Sequence, residues 1–245
     1  MKKYRYQRPR HHPLTQPPPI RREKLIIYGN GQMAKMFLHF ARTQFDVVAF
    51  TVDRAVVEER EIEGLPVIPF EEIGSRLSPA SHAMITAVGY LAMNTLRAEK
   101  YAAARALGYR FVNFVHPSVV WHPTLLAGEN NVILDHVAIH PYTRLGNGNF
   151  ICSNASIGHG CRIGDNCWIN SGVSIGGETR LGDGCFLGIN ATIGDNIVIE
   201  RQCYVGANTL ISRSTQPEEV YVSASGERFP LSSHAFLQFL ARSAP

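Results

Sequence analysis

Residues 157–169, Ile-Gly-His-Gly-Cys-Arg-Ile-Gly-Asp-Asn-Cys-Trp-Ile, carry an isoleucine at every sixth position: Ile157, Ile163 and Ile169. Following that phase in both directions gives fourteen aliphatic residues without a slip: Ile133, Ile139, Leu145, Ile151, Ile157, Ile163, Ile169, Ile175, Leu181, Leu187, Ile193, Ile199, Val205 and Ile211. An α-helix, at about 3.6 residues per turn, does not ask for this spacing, and neither does a strand with alternating faces. A strict short repeat marks a solenoid, whose units bury their apolar faces only against their neighbours. Eight of the fourteen are followed by glycine, which supplies the left-handed or crowded backbone of a tight corner. The unit is therefore a short strand plus a corner, and three units close a triangular coil of eighteen residues. The phase extends weakly back through Ala127 and Trp121, which makes about five coils.

The cysteines follow the same register. Cys161, Cys167, Cys185 and Cys203 each stand two residues before a periodic aliphatic, in a column shared with Val137, Thr143, Ala155, Val173, Thr179, Ala191 and Thr209. Residues two apart on a strand share a face, so this column of small side chains points inward and its thiols act as compact hydrophobes. Five cysteines, mostly in one core column, do not form a disulfide framework. The CxxC zinc spacing is absent, and a core-facing sulfur meets no substrate. The reading is a reduced, intracellular protein, with no metal expected.

The 245 residues suffice for one or two domains. No apolar run approaches the length needed to span a membrane, and the start lacks a secretory apolar stretch. Residues 1–24 hold eight Lys/Arg and one Glu, against 16 Lys/Arg and 19 Asp/Glu in the remainder, so the formal charge of +4 belongs to the start alone. With Pro17, Pro18 and Pro19 inside it, residues 1–23 read as a disordered, solvated basic tail; no nucleic-acid partner is expected.

Residues 24–115 have another pattern. Leu25–Tyr28 reads as a buried strand, Gly29-Asn30-Gly31 follows, and Gln32–Ala41 has helical spacing. Further strands are expected at Val47–Phe50, Leu65–Pro69, Ala83–Val88 and Phe111–Phe114, with helices at Phe70–Leu77 and Asn94–Leu107. This alternation predicts a small parallel sheet. Gly29-x-Gly31-x-x-Ala34 puts backbone N–H groups and a helix N-terminus where a phosphate can sit. Asp53, 22 residues beyond Gly31, stands where an acid meets a ribose hydroxyl or a base edge. About ninety residues make a single mononucleotide-binding unit, too short for a dehydrogenase.

The coils, 116–213, are read as a left-handed parallel β-helix, an exception to the right-handed crossover rule. Its flat faces suit association as a homotrimer. Residues 214–245 form a C-terminal extension whose helix, Leu231–Ala241, either caps the open end or packs on a neighbour. Among the histidines, His122 and His140 stack one coil apart, His136 lies near that level, and His159 stands alone between Gly158 and Gly160. From the sequence pattern alone, His159 is as well explained by an ordinary surface position as by chemistry.

The order of motifs resembles one bacterial family. The glycine-rich turn, Asp53, Ala87-Val88-Gly89-Tyr90 ahead of a helix containing Arg97, His116-Pro117-Ser118, Ile157-Gly158-His159-Gly160-Cys161 and Phe186-Leu187-Gly188-Ile189-Asn190 are similar to those of NeuD/PglD-type sugar acetyltransferases. The resemblance covers roughly residues 24–215. It implies that the small domain holds the nucleotide of a sugar donor through Gly29, Asn30, Gly31, Asp53, Gly89 and Tyr90. It implies further that acetyl-CoA lies in a groove between two coils of a trimer. His159 aligns with the general base, Gly177 with the amide facing the thioester oxygen, and Ile189 and Ala207 with amides along the CoA arm.

Two positions depart from the family. An acid normally follows the base, whereas this chain has Gly160; Glu178, eighteen residues on, stacks one rung above, and it either takes over the orienting role or is an exposed corner carboxylate. The Gly-Asn-Pro-Ala-like segment after the coils is replaced by Ser223-Ala224-Ser225-Gly226-Glu227. The resemblance implies a cytoplasmic, acetyl-CoA-dependent N-acetyltransferase acting on a nucleotide-linked amino-deoxy sugar for surface-polysaccharide assembly. Sugar or sialic-acid O-acetylation, or a non-catalytic sugar-nucleotide-binding scaffold, are the alternatives.

Overall fold

A computed structural model describes residues 22–243; the basic tail anticipated over residues 1–23 lies almost wholly outside the described residues. The N-terminal part is a six-stranded sheet built from β1 (Lys24–Tyr28), β2 (Asp46–Val52), β3 (Glu61–Ile62), β4 (Leu65–Pro69), β5 (Ala83–Thr86) and β6 (Arg110–Phe111), in the order β3-β4-β2-β1-β5-β6. All pairs are parallel except β3 with β4. That antiparallel hairpin was not expected; it turns on Glu63 and Gly64, both at positive φ, the geometry that favours glycine in tight hairpins. The helices are α1 (Gln32–Ala41), α2 (Ile73–Arg76) and α3 (Thr95–Ala106). The helix expected over Phe70–Leu77 is a single 3-10 turn, Phe70–Glu72, running into the four residues of α2.

The coils follow the eighteen-residue register. Two-residue strands pair in parallel as Ile133↔Ile151, Ile151↔Ile169 and Ile169↔Leu187 on one face, and in the same way on the other two. The result is a left-handed β-helix, the fold expected from the period. The periodic aliphatics form one continuous core with Val137, Ala155, Cys161, Cys167, Cys185 and Cys203. The inward column does more than fill space. Thr143 and Thr179 hydroxyls donate to the Gly158 and Gly194 carbonyls at 2.8 Å, and the thiols of Cys161, Cys167 and Cys185 point at the Gly176, Gly182 and Glu200 carbonyls at 3.2, 3.1 and 3.0 Å. Each small polar group thus satisfies a corner carbonyl, fifteen residues on, that the ladder leaves unpaired. Burial holds the thiols of Cys161 and Cys167 above their ordinary range.

The left-handed corner residue is not the glycine that follows the aliphatic. Every sixth residue from Asn130 to Asn208 has positive φ, fourteen in all, filled mostly by Asn or Gly. The glycines after the aliphatics serve close approach: a Cβ on Gly158 would stand 2.6 Å from the Gly177 nitrogen of the coil above.

The coil also begins and ends differently from the reading. Phe114–Val115 pairs with Val132–Ile133 as the first rung, not with the α/β sheet, and a last strand, Val220–Tyr221, pairs with Tyr204–Val205 after a two-residue shortening of the turn. Ser214 and Thr215 close the final turn by accepting from the Val198 and Glu200 amides. The C-terminal helix α4 spans Ser233–Ser243; Leu237 and Leu240 on it are exposed.

The α/β part sits on one face of the prism. The outward residues of that face, Phe114, Val132, Phe150, Trp168 and Phe186, are buried with Phe37, Leu38 and Val47 in a shared core. Arg97 from α3 is fully buried there. Its guanidinium lies 5.3 Å from the Trp168 ring and 5.9 Å from that of Phe150, and burial lowers its pKa to about 10.

Candidate active site

The first cluster lies at the carboxyl ends of β1, β2 and β5. Gly29, Asn30, Gly31, Asp53 and Gly89 line one cavity of about 480 Å³. Gly29 is irreplaceable in it: φ is +137°, and a Cβ would stand 2.7 Å from the Ala87 carbonyl oxygen. Gly31 caps α1 without a side-chain hydrogen bond, so the first amides of this ten-residue helix remain available to an anion. Tyr90 is not in the wall; its ring packs on Phe186 at 4.3 Å.

Asp53 is held from both sides. The Tyr28 hydroxyl donates to Oδ1 at 2.7 Å, and Lys100 Nζ reaches Oδ2 at 2.5 Å. Lys100 and Tyr28 were not anticipated; the end of β1 gave no chemical signal, and Lys100 on α3 is adjacent only in space. Burial opposes ionisation of Asp53, but the Lys100 and Tyr28 hydrogen bonds outweigh it and hold its carboxyl below the usual range. Tyr28 is pushed up by burial and by its bond to Asp53. A depressed carboxyl adds stability that is complete above the unfolded pKa, about 4, and lost as pH falls through the folded value. The stability difference between wild type and Asp53→Asn is therefore expected to stay constant from neutral pH to about 5 and to shrink below about 4, as followed by thermal unfolding; a constant gap down to pH 3 would contradict the pairing.

The second cluster is the corner between the Ser156–Ile157 and Arg162–Ile163 strands, where His159 is exposed. Its imidazole lies against Gly177, and a Cβ at 177 would collide with the ring. The Gly177 amide, expected to face a thioester oxygen, donates to Asp195 Oδ1 at 2.8 Å. Glu178 occupies a left-handed corner position, φ 58°, and its amide donates to the His159 carbonyl at 2.8 Å. Its carboxylate fills the space over Gly160, with Cδ only 2.6 Å from where a Cβ would be. Among the described residues no hydrogen bond joins the Glu178 carboxylate to the His159 ring. Gly177→Ala is expected to swing the imidazole away, cutting turnover severely while leaving the melting temperature within a few degrees; unchanged turnover would show that the ring position is not used.

Ile189 and Ala207 stack one coil apart on a different corner, after the Phe186–Leu187 strand. The site residues therefore fall into three places on one chain: the α/β cavity on one face, the Ile189/Ala207 corner beside that face, and the His159 corner opposite it. The chain does not bring them together by itself.

With this geometry the relatives are informative. The bacterial transferase hexapeptide family (six repeats) matches residues 142–177, 160–188 and 178–213. Among solved structures, PerB from Caulobacter crescentus in complex with CoA and GDP-perosamine is similar over 80% of this chain and 92% of its own, with 26% identity and a TM-score of 0.72. The acetyltransferase domain of PglB from Neisseria gonorrhoeae FA1090 is similar over 81% of this chain and 95% of its own, with 23% identity and a TM-score of 0.72. WeeI from Acinetobacter baumannii AYE shares the fold at 16% identity and a TM-score of 0.55. Among curated proteins none matches this chain. Fold and repeat define the class: a left-handed β-helix acyltransferase with an α/β domain ahead of the coils.

Proposed function

We infer that the chain is an acetyl-CoA-dependent N-acetyltransferase that modifies the amino group of a nucleotide-linked amino-deoxy sugar. The observation that carries this reading is the pairing of two parts in one polypeptide. One is an anion-ready cavity with an ionised Asp53; the other is an exposed imidazole on a rigid coil corner. The similarity to PerB, whose structure holds CoA and GDP-perosamine, supports it. The three-way separation of the site residues supports a homotrimer, in which the α/β cavity and the Ile189/Ala207 corner of one copy meet the His159 corner of the next. No helix among the described residues is long and apolar enough to cross a membrane; we place the enzyme in the cytoplasm, where acetyl-CoA is supplied.

In the reaction, the sugar amine attacks the thioester carbonyl carbon, and neutral His159 takes the proton released from nitrogen. The tetrahedral adduct collapses, the carbon–sulfur bond breaks, and the proton passes from His159 to the leaving sulfur. The products are the N-acetyl sugar and free CoA thiol. Because the Gly177 amide already serves Asp195, the contribution we give Gly177 is room for the ring.

The test is purified protein with acetyl-CoA and UDP-, dTDP- and GDP-linked 4-amino sugars, followed by thiol release. Turnover with one member of the panel is the expected result; release only with hydroxyl acceptors would make it an O-acetyltransferase, and failure to bind CoA would end the enzymatic reading. Glu178→Gln separately examines the orienting role: a lower turnover number with a shifted pH profile is expected, and identical profiles would remove Glu178 from the site.

A further inference from the structure

The coil face that follows the His159 corner carries a feature that the chemistry above does not use. Arg144, Arg162 and Arg180 stand directly opposite one another on three successive rungs. Strand neighbours lie about 4.8 Å apart, and like charges directly opposite oppose pairing. All three side chains are exposed, and among the described residues none has an ion pair or a hydrogen-bonded acid. Six other arginines, Arg42, Arg54, Arg76, Arg105, Arg110 and Arg201, each meet a glutamate; the remaining unpaired ones are single residues, whereas these three are stacked on one face. The ladder is bounded by Leu126 below and Val198 above, so it is a short basic track rather than a general surface charge. It lines a groove of about 440 Å³ whose walls include Tyr142, Gly160 and Glu178. Glu178 is the one acid in that wall, which leaves the groove with an excess of two positive charges.

We propose that Arg144, Arg162 and Arg180 form a diphosphate-binding track that anchors a substrate beside His159. Guanidinium forks match phosphate oxygens two at a time, which a row of lysines would not do. Arg162 lies three residues beyond His159, a span of at most about 11 Å of extended chain. A diphosphate bound there is close to the reacting atoms. In a nucleotide-linked sugar the diphosphate is one ring away from the amine, whereas in acetyl-CoA the whole pantetheine arm separates it from the thioester. The track therefore belongs to the acceptor, whose nucleoside lies in the α/β cavity of the adjoining copy in the proposed homotrimer while its diphosphate reaches this ladder. Its anion chemistry stands on the ladder alone; only the source of the diphosphate rests on the acetyltransferase reading.

The experiment compares wild type with Arg162→Gln and with the triple variant Arg144→Gln/Arg162→Gln/Arg180→Gln, full-length and checked for oligomeric state. Inorganic pyrophosphate is titrated by calorimetry, which needs no turnover. Saturable binding that weakens about tenfold in Arg162→Gln and falls in the triple variant to no more than the residual binding of the α1 N-terminus, removed separately by competition with a mononucleotide, is the expected result; equal binding by all three proteins, or none by wild type, overturns the track whatever the protein catalyses. Steady-state kinetics then locate the source. The Michaelis constant for the nucleotide sugar is expected to rise about tenfold in Arg162→Gln, with that for acetyl-CoA within about twofold. A rise for acetyl-CoA that is absent with acetyl-pantetheine, which lacks the diphosphate, overturns the acceptor assignment. Dissociation of the triple variant into monomers would show instead that the ladder faces a second copy, and would also overturn the proposal.

Discussion

His159→Ala is expected to lower the turnover number by about a hundred- to ten-thousand-fold, the usual contribution of a positioned general base. The side chain is exposed on a corner and bears on no core residue, so the fold has no reason to change. Binding of CoA, measured by calorimetry, should be retained, because the Ile189 and Ala207 amides, which we propose hold the CoA arm, lie on another edge of the prism. Loss of turnover with CoA affinity intact is the signature of a missing base. Retention of more than a tenth of wild-type turnover would move the base elsewhere.

Trp168→Ala carries the largest expected cost in stability. The indole is 2% exposed, stacks on Phe150 at 4.4 Å with an interplanar angle of 9°, and meets the Arg97 guanidinium at 5.3 Å. Truncating a large buried aromatic costs about 3–5 kcal/mol, and here it removes one of the two rings that face a buried cation. Arg97 has no acid partner and its Nε is unpartnered among the described residues, so its cation is left to the Gly148 carbonyl, the Asn94 amide oxygen and the Phe150 ring. Because Trp168 joins α3 to the coils, the loss should appear in denaturant unfolding as the α/β part melting before the β-helix. A single transition shifted by less than about 1 kcal/mol would show that the face is held mainly by other contacts.

Much of the coil was legible because its physics is periodic. One aliphatic in six identifies the inward position, and the small residues two before it identify the inner column, from Val137 to Thr209. At the corner the sequence left two uses of glycine open, positive φ and absence of a Cβ, which composition cannot separate; the glycines after the aliphatics serve close approach, and Asn or Gly fills ten of the fourteen left-handed positions. The same arithmetic could have found more. Outward residues eighteen apart, Phe114, Val132, Phe150, Trp168 and Phe186, spell the face that receives the α/β part, and Arg144, Arg162 and Arg180 spell the ladder. By contrast, the Tyr28–Asp53–Lys100 cluster and the Gly177–Asp195 bond depend on which loops and coils meet in space. The hairpin of β3 and β4 was missed because its first strand is two residues long, too short to show alternation.

The fourteen left-handed corners have a further consequence for how such a chain can change length. Adding or deleting one residue within a strand of the coils, where it cannot loop out at a corner, would put every later core side chain out of phase with its rung, so small insertions are confined to exposed corners. Growth of the prism itself is permitted only in whole turns of eighteen, like links in a chain, each raising the prism by one strand spacing, about 4.8 Å. The two-residue shortening before Val220–Tyr221 obeys this rule by occurring where nothing further has to stay in step: a broken count serves as the stop.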